Sequence, residues 1–314
     1  MEYAVQKPMI SVVIPVYGCR ACLVALCERL YTTLSTMATP FEIIFVDDRS
    51  PDNAWEEIVL LQTLYPSIVG VRLSRNFGQH IAITAGLQTA QGEYVVVMDC
   101  DLQDPPELIP TMYAKLHEGF DLVLGRRVVR NHSKFRTTMA SLYFGMMSWI
   151  SDYKIDGTEG TFSLLTRKVV DGYLQFSERE RHYLFILRWL GFRQGFVDFT
   201  HEQRAAGKSS YSLGRLIRHA LSGMFFQTTK FLEWIAIMGF MVAFGGFLMV
   251  LYLVYRYFTH GLLEGWTSLF VLVILSTGII LICLGVVGLY VARIFEQSKQ
   301  RPLFMIDTIT GDKG

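Results

Sequence analysis

Acidic side chains gather where the apolar runs of this chain stop. Asp99-Cys100-Asp101 follows the run Tyr94–Met98, and Asp47-Asp48 follows Phe41–Val46. In an extended segment residues i and i+2 point the same way, so Asp99 and Asp101 converge as two carboxylates. Their repulsion is relieved by a hard cation, Mg²⁺ or Mn²⁺, which also bridges phosphate oxygens. Gln103 adds a neutral oxygen to that set. The alternative is an acidic strand-to-helix turn, with Asp104 or Pro105 opening a helix. A second group is cationic: Arg126, Arg127, Arg130, Lys134 and Arg136 follow the run Leu122–Leu124. Guanidinium forks match phosphate oxygens, although a basic run also serves as a solvated loop. A third, His201 through Tyr211, carries Arg204 and Lys208 on a polar, Gly-containing segment.

These groups need a frame. Ile10–Val16, Phe41–Val46, Val69–Leu73 and Tyr94–Met98 read as buried strands, separated by helical periodicity over Ala21–Ser35, Ala54–Tyr65 and Gln79–Ala90. Alternating units of this kind give a parallel, doubly wound α/β sheet whose ligands sit at the strands' carboxyl ends. Asp47, Asp48, Ser74, Arg75, Asn76, Asp99 and Asp101 all occupy such ends. No GxGxxG follows the first strand and no GxxxxGK[ST] occurs anywhere, which argues against dinucleotide dehydrogenases and P-loop enzymes.

Of 314 residues, 51% are apolar and 18% charged, too greasy for an ordinary soluble protein. The formal charge of +1 excludes a bulk polyanion partner such as nucleic acid. Ile235–Tyr255 and Thr267–Ala292 contain no Asp, Glu, Lys or Arg, and at about 1.5 Å per residue each reaches the roughly 30 Å of a hydrocarbon core. The sequence therefore predicts a catalytic domain over residues 1–211, amphipathic interfacial helices over 212–232, two transmembrane helices (235–257 and 267–292) and a tail, 293–314. Arg215, Arg218, Lys230, Arg293, Lys299 and Arg301 flank one side of the hairpin, so the positive-inside rule puts the domain and both termini in the cytosol, at the inner membrane. Residues 1–9 show no signal-peptide pattern. Five cysteines, an odd count, are expected to remain thiols in that compartment.

The stretch Leu73-Ser74-Arg75-Asn76-Phe77-Gly78-Gln79-His80, continuing through Met98-Asp99-Cys100-Asp101-Leu102-Gln103-Asp104-Pro105-Pro106-Glu107, resembles the inverting family-two glycosyltransferases of the GT-A fold. Within them it is most similar to polyprenyl-phosphate glycosyltransferases, such as bactoprenol glucosyltransferases and dolichol-phosphate mannose synthases. Ser11 through Tyr17, Val46 through Ser50, Gly125-Arg126-Arg127, His201 through Tyr211, two spans and Arg293 to Pro302 extend the resemblance over nearly the whole chain. It implies a UDP- or GDP-sugar donor, a polyprenyl phosphate acceptor such as undecaprenyl phosphate, a membrane location and a homotetramer. It implies that Asp48 contacts the base or ribose, with Pro15 and Tyr17 as walls; residue patterning alone equally allows Asp48 to cap the next helix. Asp99, Asp101 and Gln103 would hold Mg²⁺ or Mn²⁺, Arg126 and Arg136, with Arg127 beside them, the acceptor phosphate, and Arg204 and Lys208 the donor diphosphate.

One departure stands out. Relatives often carry Asp in a Gly-Asp-Phe context where this chain reads Gly160-Thr161-Phe162. Thr161 cannot serve as a base, which leaves Asp156 and Glu159 as nearby substitutes. A phosphate monoester with a second pKa near 6 is already an anionic nucleophile, so the chemistry needs little deprotonation. A processive polysaccharide synthase is a competing reading, but Phe185 stands where its Gln-x-x-Arg-Trp motif needs Gln ahead of Arg188-Trp189. A non-catalytic membrane scaffold or sugar-nucleotide sensor is another, disfavoured by keeping metal and anion sites together.

Overall fold

The computed structural model describes residues 8–128, 159–178, 181–200, 230–260 and 265–311. Strands β1 (Ile10–Val16), β2 (Phe41–Asp47), β3 (Ile68–Leu73) and β4 (Tyr94–Val97) alternate with helices α1 (Arg20–Thr36), α2 (Ala54–Leu64) and α3 (Gln79–Thr89). A 3₁₀ turn at Pro106–Leu108 leads into α4 (Ile109–Leu116), then come β5 (Leu122–Arg127), β6 (Glu159–Thr166), α5 (Arg167–Leu174), α6 (Tyr183–Trp189) and β7 (Gln194–Phe199). Two long helices, α7 (Lys230–His260) and α8 (Trp266–Ser298), precede a last strand, β8 (Ile306–Thr310).

One eight-stranded sheet runs in the order β7-β5-β6-β4-β1-β2-β3-β8. Its centre is parallel, with Ile10 level with Phe41 on one side and Tyr94 on the other. Two strands depart from the parallel expectation. β6 inserts antiparallel between β4 and β5, and β8 pairs antiparallel with β3. The sequence reading placed no strand in the C-terminal segment. Its β-branched residues Ile306, Thr308, Ile309 and Thr310 suit a strand that covers the edge of β3, which would otherwise present unpaired backbone groups. The backbone bond from Ser74 N–H to the Met305 carbonyl and the Arg49–Asp307 ion pair fasten it there.

The strand alternation builds a core on each face. Ile10, Val12, Ile14 and Val16 of β1 join Leu23, Leu26 and Leu30 of α1, Ile58 of α2 and Met112 of α4. Val13 joins Ile83 and Leu87 of α3, Tyr173 of α5 and Tyr183 of α6. Gly86 is what lets α3 lie so close to β1, since a Cβ there would collide with the Val13 side chain.

The chain divides into two compact units, the first carrying the sheet with the C-terminal stretch from Pro302, the second the two long helices. Among the described residues one segment, Ser276–Ser298, is long and apolar enough to cross a membrane, while the apolar Ile237–Met249 is shorter. The expected spans 235–257 and 267–292 fall within these two helices, and the one described segment of sufficient length and apolarity lies in α8. Large apolar side chains on both helices, among them Phe240, Phe244, Phe258, Leu284 and Ile294, are exposed, the surface a lipid phase would cover.

Candidate active site

The turn after β2 is closed by its own polar groups. Ser50 N–H donates to Asp47 Oδ1 at 2.9 Å, and Ser50 Oγ takes a bond from Gly18 N–H at 2.7 Å while donating to Asp52. Arg20 N–H also reaches Asp52, at 2.9 Å. The β1–α1 and β2–α2 turns are therefore laced together. Asp48 is buried, and its two oxygens accept the backbone N–H groups of Phe77 and Gly78 at 2.7 and 2.8 Å. It does not cap α2, whose N-cap is Asn53. Burial pushes the Asp48 carboxyl up from its ordinary pKa against the pull of those two donors. Gly78, with φ +98°, adopts a conformation that only glycine accepts readily. Pro15 is buried within β1, level with Val46, and Tyr17 is exposed just beyond that strand.

The turn after β4 is arranged otherwise. Asp99 Oδ1 accepts from Gln79 Nε2 at 2.7 Å and from Thr161 Oγ1 at 2.9 Å. The first donor lies at the start of α3 and the second on β6. Beneath it, fully buried Asp104 accepts the Asp99 N–H at 3.2 Å and faces Arg127 at 3.5 Å. Burial, then the charge of Asp104, raises the Asp99 carboxyl to about 6. Asp101 Oδ1 accepts the Gln103 N–H at 3.3 Å across Leu102, whose φ of +63° is strained for a branched side chain.

This donor set fits a hard divalent cation. Asp99, Asp101 and Asp104 crowd one turn, with Arg127 paired to Asp104, and a cation relieves the cost of ionising Asp99. Among the described residues no three His, Cys, Asp or Glu side chains converge as a closed cage. A cation here would take only two carboxylates, with Gln103 nearby, and complete its shell from ligand and water oxygens.

Cys100, between the two carboxylates, is disulfide-bonded to Cys19. The expectation that all five cysteines stay thiols is corrected for this pair. The parallel pairing runs to Val13–Val97, and the Met98 N–H still bonds the Val13 carbonyl, so the chain leaves β1 and β4 at the same end of neighbouring strands. Cys22, Cys27 and Cys283 are free.

On the far side of β6, Arg126 forms a two-pronged pair with Asp198 at 2.6 and 3.0 Å, which holds the Asp198 carboxyl below its usual range. Arg127 turns toward Asp104 instead. Glu159 is buried in an ion pair with Arg188, so this substitute for the missing base already has its charge partnered. Asp156, Arg136, Arg204 and Lys208, with residues 212–229 of the interfacial segment, lie outside the described residues. Sequence reasoning missed Gln79, Asp104 and Asp198 as site residues, and Thr161 as a partner of Asp99. The one signal for Gln79 was its place directly after the strand-end loop that opens α3.

With this arrangement in view, comparison with known proteins decides the family. The profile described as glycosyl transferase family 2 matches residues 11–174, more than half of the chain. The chain belongs to that family. The uncharacterized glycosyltransferase YkcC of Bacillus subtilis is 34% identical over 303 residues, covering 96% of this chain and 94% of that protein. The undecaprenyl-phosphate 4-deoxy-4-formamido-L-arabinose transferase of Photorhabdus laumondii is 30% identical over 312 residues, 98% of this chain and 96% of its own. Among solved structures, glucosyl-3-phosphoglycerate synthase from Mycobacterium tuberculosis shares the fold at a TM-score of 0.50 and 16% identity, over 70% of this chain and 80% of that one. The sheet is the mostly parallel α/β sheet of GT-A glycosyltransferases, and the chain is a transferase.

Proposed function

We propose that this glycosyltransferase moves a sugar from a UDP- or GDP-linked donor to undecaprenyl phosphate at the cytosolic face of the inner membrane, with inversion at the anomeric carbon. The observation that carries this reading is the placement of Asp99 and Asp101 at the carboxyl end of β4, on the same sheet end as Arg126 and Arg127 of β5. Anionic donor and anionic acceptor would meet there. The P. laumondii relative, named for undecaprenyl phosphate and matched over nearly its whole length, supports the acceptor.

The base of the nucleotide would lie against Tyr17 and Pro15, facing the loop that Asp48 holds through Phe77 and Gly78. Asp48 would thus act on the pocket through that loop as well as through any lone pair it offers. Asp99, Asp101 and Gln103 would hold Mg²⁺ or Mn²⁺, which when bound lends positive charge to the departing nucleoside diphosphate. Arg204 and Lys208 would neutralise the same leaving group, and Arg126 and Arg136 would orient the lipid phosphate, Arg126 exchanging part of its contact with Asp198. An oxygen of that phosphate attacks the anomeric carbon in line as the bond to the diphosphate breaks. No proton need be removed, since the monoester is ionised near neutrality. That fits a site in which Thr161 serves Asp99 and Glu159 serves Arg188. A two-helix membrane hairpin would keep the site at the surface where the lipid headgroup lies.

Transfer of label from a panel of UDP- and GDP-sugars to undecaprenyl phosphate in detergent, with Mn²⁺ or Mg²⁺, tests this. An organic-extractable, metal-dependent product from one donor is expected and names the sugar. Donor hydrolysis or polymer formation without a lipid-linked product would refute it.

A further inference from the structure

A cysteine stands inside a motif whose chemistry uses only oxygens. Cys100 separates Asp99 from Asp101, and its bond to Cys19 reaches 81 residues back to the start of α1. Cys19 follows Tyr17 and Gly18, so one covalent link joins the turn of the proposed base pocket to the turn of the proposed metal carboxylates. The sheet explains why they meet. With β1 and β4 adjacent and parallel, the two Cα atoms lie 6.4 Å apart, a separation that a disulfide spans without backbone movement. Cys19 is partly exposed and Cys100 nearly buried, so an exchanging reagent reaches the bridge from the Cys19 side. The other two cysteines of the sheet unit, Cys22 and Cys27, are buried and unbonded.

We propose that Cys19 and Cys100 form a reversible thiol–disulfide site that sets how firmly the Asp99–Asp101 turn is held for a divalent cation. This rests on reading Asp99 and Asp101 as the metal carboxylates. In closing, the Cys19 sulfur attacks a low-molecular-weight disulfide and one small thiol leaves. The Cys100 sulfur then displaces the second small thiol and the Cys19–Cys100 bond forms. The two protons of the cysteines end on the two released thiols, and the two electrons lost by the cysteine sulfurs reduce the small disulfide. Opening is the reverse, driven by excess thiol. When closed, the bridge anchors residue 100 to the head of α1, itself tied through Arg20 N–H to Asp52. The two carboxylates are then preorganised, and the strained Leu102 has less freedom to relax. When open, that restraint is gone and cation binding must order the turn.

The test uses the full chain in detergent, oxidised with glutathione disulfide or reduced with a phosphine and then exchanged into reagent-free buffer. Mass spectrometry after alkylation reports the bridge, and the electron paramagnetic resonance of free Mn²⁺ reports binding of the metal alone. The bridged form is expected to bind Mn²⁺ about five- to tenfold more tightly than the reduced form. Cys19→Ser and Cys100→Ser should each bind like the reduced protein and lose the response, with Cys19→Ser decisive if the other does not fold. Equal Mn²⁺ affinity in both states, absence of Mn²⁺ binding in both, or failure of glutathione disulfide to close this pair would each overturn the proposal. Sugar transfer is measured separately on both forms at saturating Mn²⁺: absence of transfer in both, with a redox-dependent Mn²⁺ affinity, refutes the enzymatic reading and leaves this one standing.

Discussion

Two strand ends in this sheet carry paired acids, and the fold uses them in opposite ways. At β2 the acids are adjacent, and both turn inward: Asp47 takes the Ser50 N–H and faces Arg72, and Asp48 takes two backbone N–H groups. At β4 the acids are two apart; Asp99 is gripped by the side chains of Gln79 and Thr161, and Asp101 stays partly exposed. Between Asp48 and Asp99 the difference lies in the donors, whereas Asp101, which also accepts a backbone N–H from Gln103, is set apart by its exposure. Backbone N–H groups that a carboxylate satisfies are part of the chain's own turn, so removing the acid leaves them orphaned. Side-chain donors leave the turn intact and merely aim the carboxylate. For Asp48 and Asp99, what satisfies the carboxylate thus separates a structural acid from a ligand-facing one, a distinction that residue type does not encode.

Substitutions at the two ends should therefore fail differently. The largest effect is expected from Asp101→Asn, which removes the charge but not the shape of a group at the proposed metal. Transfer to lipid phosphate should fall by roughly 10²–10³, about 3–4 kcal/mol of barrier, with the thermal midpoint of the protein nearly unchanged. Asp48→Ala should strike the fold as well, costing about 3 kcal/mol of stability by leaving the Phe77 and Gly78 donors buried without a partner, read as a lowered midpoint of denaturation. If Asp48→Ala left stability untouched, or Asp101→Asn left transfer untouched, the contrast would collapse.

Much of this frame is legible in the chain itself. The run Ile10–Val16 is a strand over those same residues, and the periodicity of Ala21–Ser35 lies within the observed Arg20–Thr36 helix. Apolar runs and helical periodicity report local geometry, so they succeed for buried strands and the helices packed on them. They could not report β6 or β8, whose places depend on which edge is left open after the parallel core has formed. The same limit hid Thr161. In the antiparallel pair Val97 faces Ser163, and continuing that register brings Asp99 level with Thr161, a contact across 62 residues that appears only once the strand order is known. Asp99 and Asp101 were visible because their two-residue spacing is a local fact. Cys19 and Cys100 were not, because their nearness belongs to the β1–β4 pairing.

The two ends meet at the head of α3, where Gly78 is held by Asp48, Gln79 reaches Asp99, and the rings of His80 and His182 lie 4.6 Å apart. Burial, then the neighbouring His80 and Arg188, depresses the His182 imidazole to about 3. The folded state thus refuses a proton that the unfolded chain accepts below its ordinary value of 6.5. Stability is full above that value and is lost as the pH falls toward 3, at about 1.4 kcal/mol per unit, or about 2 kcal/mol by pH 5. His182→Phe should flatten the fall in denaturation midpoint between pH 7.5 and 5. An unchanged acid sensitivity would show that His182 is not its source.

The smallest expected effect is the sharpest test of how Asp99 is aimed. Thr161→Val keeps the shape of the side chain on β6 and removes the hydroxyl that donates to Asp99 Oδ1. If that bond only orients the carboxylate, Mn²⁺ binding weakens by about 1 kcal/mol, roughly fivefold, while the denaturation midpoint stays within experimental error. Thr161→Ser, which keeps the hydroxyl, should restore the affinity. A structural role would instead lower the midpoint in the valine variant and leave metal affinity alone. A third result, full Mn²⁺ affinity in both variants, would assign the aiming of Asp99 to Gln79. The two halves of the sheet would then be less tightly joined than the contact across β6 implies, since Gln79 belongs to the same parallel half as Asp99, whereas Thr161 is the one donor to that carboxylate supplied by the antiparallel strand.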